Sequence, residues 1–139
     1  MMDLVGFLSA RLDEDEALAR QAAQVAGPDW TWRTEVPEGC DYPTDYITNL
    51  RGTLLLDTMG GIEGDAPHVA RHDPARVLRE VEAKRRIIAA CAETLQGEES
   101  HDYVTDGGSG EEYELARFTL RQLAAAWSDH PDCRPEWRP

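Results

Sequence analysis

No run of apolar residues in this sequence approaches the roughly 20 needed to cross a bilayer, so a membrane span is not expected. The opening, Met1 to Leu12, lacks a basic n-region and carries Asp3 ahead of its apolar residues. A secretory signal is therefore not expected either. Cysteine is sparse: Cys40, Cys91 and Cys133 stand far apart and odd in number. An oxidised framework uses a denser, even set, so reduced thiols in a cytoplasmic protein are the expectation, with no disulfide. Positive charge is scarce as well. Lys and Arg total 14 against 27 acids, and a net charge of −13 disfavours direct binding to nucleic acid.

The scarce cations are concentrated. Residues 71–86 hold Arg71, Arg76, Arg79, Lys84, Arg85 and Arg86 against Asp73, Glu80 and Glu82, a local balance of +3 that leaves −16 for the rest. Residues 93–114 hold eight acids and neither Lys nor Arg. At 139 residues the chain fits one domain (1–139) with a core of its own. Leucines, valines and tryptophans recur at helical spacing, so wholesale disorder is not expected.

Asp3 caps a first helix over 1–27, where Val5, Leu8, Leu12, Ala19, Ala22 and Ala26 recur at steps of three and four and Gly27-Pro28 stops it. Asp15 interrupts that stripe, which places it at the edge of the stripe or beside a cation. Over 29–70 the period changes to that of a small sheet. Trp30, Trp32 and Val36 alternate as a half-buried strand, Tyr46–Asn49 and Thr53–Thr58 follow, Asn49–Gly52 turns, and His68-Val69-Ala70 reads as one more short strand. Asp73 then caps, and Pro74 opens, a helix over 73–97 whose apolar face is Val77, Leu78, Val81, Ile88, Cys91, Ala92 and Leu95. Residues 98–110 read as a mobile acidic loop. A helix over 110–128 follows, seamed by Tyr113, Ala116, Leu120, Leu123 and Trp127, with a Pro-punctuated tail at 129–139 packing through Trp137. The expected fold is α+β: a long N-terminal helix, a small antiparallel sheet and two C-terminal helices.

The segment from His68 through His72-Asp73-Pro74-Ala75-Arg76 to Ala83-Lys84-Arg85-Arg86-Ile87 resembles a family of short, uncharacterised actinobacterial and phage proteins, a domain of unknown function. Leu4-Val5-Gly6-Phe7-Leu8, Arg11 to Glu16, Ser128 to Asp132 and Arg134-Pro135-Glu136-Trp137 extend the likeness over about half of the chain. The family often has an aromatic at the place of Cys133 and a Pro-Gly-Pro-Trp-like stretch at Gly27-Pro28-Asp29-Trp30. The order of elements is also similar to small early-region phage proteins. The resemblance implies no catalytic residues.

From the residues themselves, His72, Arg76, Arg79 and Arg86 share a helix face, with Arg71 just before it. That face is suited to a phosphate, a nucleotide or an acidic partner. The plainer reading pairs Arg76 with Glu80 and Glu82 with Arg86 and gives other arginines to the acidic first helix, Asp15 included. Exposed pairs of this kind contribute about 0–1 kcal/mol each. His68 and His72 are four apart, but Pro74 opens the helix after them, so their rings need not converge. No metal or cofactor is expected from this spacing. Cys91 sits on an apolar helix face and Cys133 is expected to be more exposed, with only Arg134 nearby to activate it. No set of side chains marks a catalytic centre.

The sequence therefore points away from an enzyme and toward a small acidic interaction or regulatory protein of phage or mobile-element origin, acting on a protein partner or on a second copy of itself. The alternative is a binding module for a small anion or nucleotide at Arg71, His72, Arg76, Arg79 and Arg86. A further alternative is an acidic decoy that mimics nucleic acid.

Overall fold

A computed structural model describes residues 3–58, 65–99 and 109–138. The expected acidic loop over 98–110 lies for the most part outside the described residues, as do the glycines of 59–64. The architecture is α+β: helix α1 (Leu4–Ala26), strands β1 (Trp30–Glu35), β2 (Thr44–Asn49) and β3 (Leu54–Thr58), then helices α2 (Asp65–Arg71), α3 (Pro74–Glu99) and α4 (Ser109–Ala124). Short 3₁₀ turns follow at Ala125–Trp127 and Pro135–Trp137. Residues group into two compact units, Met1–Glu14 with Val81–Pro139, and Asp15–Glu80. Helices α1 and α3 contribute residues to both.

Within the Asp15–Glu80 unit, α1 ends where the sequence required. Gly27 takes φ +84°, which relieves a helix terminus at no steric cost, and its N–H donates to the Ala23 carbonyl at 3.0 Å. The strands form an antiparallel sheet in the order β1-β2-β3, with Trp32 opposite Ile47 and Ile47 opposite Leu56. A register shift at Ile47/Thr48 inserts Leu55 as an extra residue in β3. Asn49 organises the β2–β3 turn. Its Oδ1 accepts from the N–H groups of Arg51 and Thr53, and Gly52, at φ +77°, donates to the Asn49 carbonyl.

Two expectations fail in this unit. His68-Val69-Ala70 is not a strand but part of α2. Pro67 falls in that helix's first turn, where a missing N–H removes nothing, and Asp65 suits the positive helix end. Ala66 and Ala70, four apart, are buried against Ile47, with Trp30, Leu55 and Val69 packed around them. Nor is β1 half-buried. Trp30 alone is partly covered, and Trp32 is 44% exposed. A seven-residue helix is only about 10 Å long, too short to cover a six-residue strand.

In the other unit, Phe7, Leu8 and Leu12 of α1 are buried, as are Val81 and Ile88 of α3, Ala116, Leu120 and Ala124 of α4, and Trp137 of the tail. Asp3 caps α1 through a 2.7 Å bond from the Gly6 N–H to its Oδ1. The tail does pack through Trp137.

Candidate functional site

The basic segment takes shape at the α2–α3 junction. Asp73 caps α3, its Oδ1 accepting from the Arg76 N–H at 2.8 Å and its Oδ2 from the Trp30 N–H at 3.3 Å. The next amide, Ala75 N–H, donates to the Pro28 carbonyl at 2.9 Å. These are the donors an anion would use at a helix N-terminus, and here they are already committed. An anion at the junction would be left with side chains alone.

Of those side chains, Arg76 donates through Nε to Glu80 at 2.7 Å, and Arg86 pairs with Glu82, the two i,i+4 pairs that spacing implied. Arg85 reaches Asp13 of α1 at 2.6 Å. Asp15 is half-buried and lines a cavity of about 250 Å³ with Ala19, Trp30, His72 and Val77. Arg71, His72 and Arg79 are exposed. Arg71, His72, Arg76 and Arg79 belong to one compact unit and Arg86 to the other.

His68 and His72, whose rings the spacing did not require to meet, do converge, because α2 carries His68 on a helix of its own. Their ring centres lie 4.3 Å apart with the planes tilted by 38°, and His72 Nδ1 lies 2.8 Å from the His68 carbonyl. A carbonyl oxygen can only accept, so His72 Nδ1 is the donor in that bond, and the two rings meet in a tilted contact. Among the described residues no group of three or more His, Cys, Asp or Glu side chains is arranged to hold a metal ion. Cys133 is buried, not exposed: its N–H closes a turn onto the His130 carbonyl at 2.9 Å, which draws the side chain inward. Cys91 is partly covered and burial raises its thiol pKa, away from the reactive thiolate. Cys40 is exposed.

Among the described residues, the buried charged side chain is one that sequence reasoning passed over. Arg11 is 6% exposed. Its Nε and Nη2 donate to the two carboxylate oxygens of Glu14 at 3.0 and 2.7 Å, a bidentate pair. Nη1 lies 3.2 Å from His130 Nδ1 and 3.7 Å from an Asp132 oxygen, and the guanidinium stands 5.3 Å from the Phe7 ring centre. His130 Nδ1 also receives the Asp132 N–H at 3.1 Å. Two donors, Arg11 Nη1 and the Asp132 N–H, are thus aimed at this one ring nitrogen. Phe7 completes the cluster, 5.9 Å from the His130 ring and 5.2 Å from Trp137. The signal was present in the spacing: Phe7 and Arg11 are four apart, with Leu8 and Leu12 beside them, so Arg11 sits on the apolar face.

In the same unit a cavity of about 380 Å³ has Leu4, Val5, Leu95, Leu120 and Trp137 as its apolar wall, with Arg117, Arg121, Asp3 and Glu136 around it. Nothing in these arrangements pairs a nucleophile with a base.

The fold and the Arg11 centre define a small α+β protein whose two terminal segments close on one another. The two segments are the opening and ending marks of the family resemblance. The chain belongs to a family of unknown function, DUF6221, whose model matches residues 1–139. No curated protein and no solved structure matches it. Among the described residues, no helix is long and apolar enough to cross a membrane.

Proposed function

We propose that this chain is a non-enzymatic interaction protein that acts through protein–protein contact, self-association included. The observation that carries the reading is the large apolar surface left open in a chain of net charge −13 and mean hydropathy −0.55. On the sheet, Trp32 and Leu56, the cross-strand partners of the buried Ile47, are each 44% exposed, and Leu54, opposite Thr48, is 50% exposed. On α4, Leu115 and Phe118 are 64% and 59% exposed. Single exposed apolar residues need no explanation, but neighbouring ones rimmed by charge mark contact surfaces. The cations point the same way, because Arg76, Arg85 and Arg86 are already paired within the chain.

Light scattering from dilute to concentrated solution tests the self-association part. A mass that rises above 15.5 kDa supports it, and a constant 15.5 kDa removes it. Three free thiols support a cytoplasmic setting as part of this reading, and the likeness of the 68–87 segment supports a phage or mobile-element origin.

The second reading is a site for a small anion or nucleotide, favoured by the exposure of Arg71, His72 and Arg79 around the α2–α3 junction. A ligand at one hundred times its Kd would stabilise the native state by about 2.7 kcal/mol. A thermal-shift panel of inorganic phosphate and nucleotides reads this directly. No shift at saturating concentration excludes the site.

A further inference from the structure

Helix α4 presents two faces. Tyr113, Ala116, Leu120 and Leu123 look inward, with Ala116 and Leu120 buried. Glu111, Leu115, Phe118 and Gln122 lie on the opposite face at steps of four, three and four, and all four are exposed. That spacing is the seam of a helix that packs against another helix. Charge along α4 is divided by position. The acids Glu111, Glu112 and Glu114 fill its first half, and the bases Arg117 and Arg121 its second. Such a helix repels a parallel copy and attracts an antiparallel one.

We infer that the Leu115–Phe118 face of α4 is the self-association surface, pairing antiparallel with α4 of a second copy about a two-fold axis between Ala116 and Arg117. This rests on the self-association reading and names its site. In that alignment Leu115 of each copy meets Phe118 of the other, and Glu111 meets Gln122. Along one flank Glu114 of each copy comes within reach of Arg121 of the other, twice by symmetry. Glu114 is available for this: its side chain is 74% exposed and its contact with Arg117 is loose, at 3.9 Å. Opposed helix dipoles add to the preference. One helix pair is a small contact beside the roughly 1,600 Å² of a standard interface, so the dimer is weak and concentration-dependent.

Sedimentation equilibrium of the full chain in low salt tests this, with far-UV circular dichroism confirming that each variant is folded. Phe118→Glu is expected to raise the dimer dissociation constant by about ten-fold or more, since it places a carboxylate in the seam. Glu114→Arg alone and Arg121→Glu alone should each weaken dimerisation, and the double variant Glu114→Arg/Arg121→Glu should restore it. That rescue is a result no general loss of structure produces. If the wild-type chain dimerises but Phe118→Glu dimerises equally well, the α4 site is wrong while self-association stands. If the double variant is weaker than either single one, the antiparallel register is wrong. A wild-type chain that stays monomeric when concentrated overturns both and leaves the apolar faces to a different protein.

Discussion

Arg11 and Arg86 carry the same guanidinium into opposite surroundings. Arg11 lies in an acidic stretch of sequence, yet its side chain is buried, held by both oxygens of Glu14 and set against His130, Asp132 and Phe7. Arg86 lies in the most cationic stretch, yet its side chain is 78% exposed and leans on Glu82 one turn away. Charge density along the chain and energetic dependence on charge are thus found in different places. A buried guanidinium has given up its water and must be repaid by fixed partners, whereas an exposed pair is screened and close to neutral in its effect.

Five substitutions sharpen or break that contrast, each read by urea unfolding followed by circular dichroism. Phe7→Ala removes a fully buried ring that supports both the guanidinium and Trp137, and should cost about 4 kcal/mol. Arg11→Ala should cost about 3 kcal/mol, because it empties a buried place beside Phe7 and takes the guanidinium from His130 Nδ1. Arg11→Lys should recover only part of this, since an ammonium cannot make the bidentate pair. Asp73→Ala leaves the first turn of α3 uncapped and frees the Trp30 N–H, for about 1 kcal/mol. Arg86→Ala should cost no more than about 0.5 kcal/mol. An Arg86→Ala penalty as large as that of Arg11→Ala would dissolve the contrast.

Much of the fold was written in local spacing. The stop at Gly27-Pro28, the cap and start at Asp73-Pro74 and the turn at Asn49–Gly52 each need only a few neighbouring residues to specify them, and each is found where expected. Helix α2 was hidden for the converse reason. Seven residues are too few to display a helical period, and Pro67 reads as a loop residue unless the helix start is already known. The exposure of β1 depends on how far that short helix reaches, which no property of Trp30–Glu35 encodes.

The candidate sites divide in the same way. The i,i+4 pairs of α3 follow from sequence because both partners share a helix. The Arg11 centre joins residues 119 positions apart, and its local signs are the step of four from Phe7 and the step of three to Glu14, neither of which points to His130. Likewise Cys133 reads as a tail cysteine and is buried because the chain turns at His130.

The central claim is that contact is made through open apolar faces and not through the arginine-rich segment. The most direct measurement is the concentration dependence of mass for a chain carrying Arg71→Ala, Arg79→Ala and Arg86→Ala together, set beside the wild type. The account predicts that the two curves superimpose, both rising above 15.5 kDa. A folded triple variant that stays monomeric where the wild type assembles would contradict it.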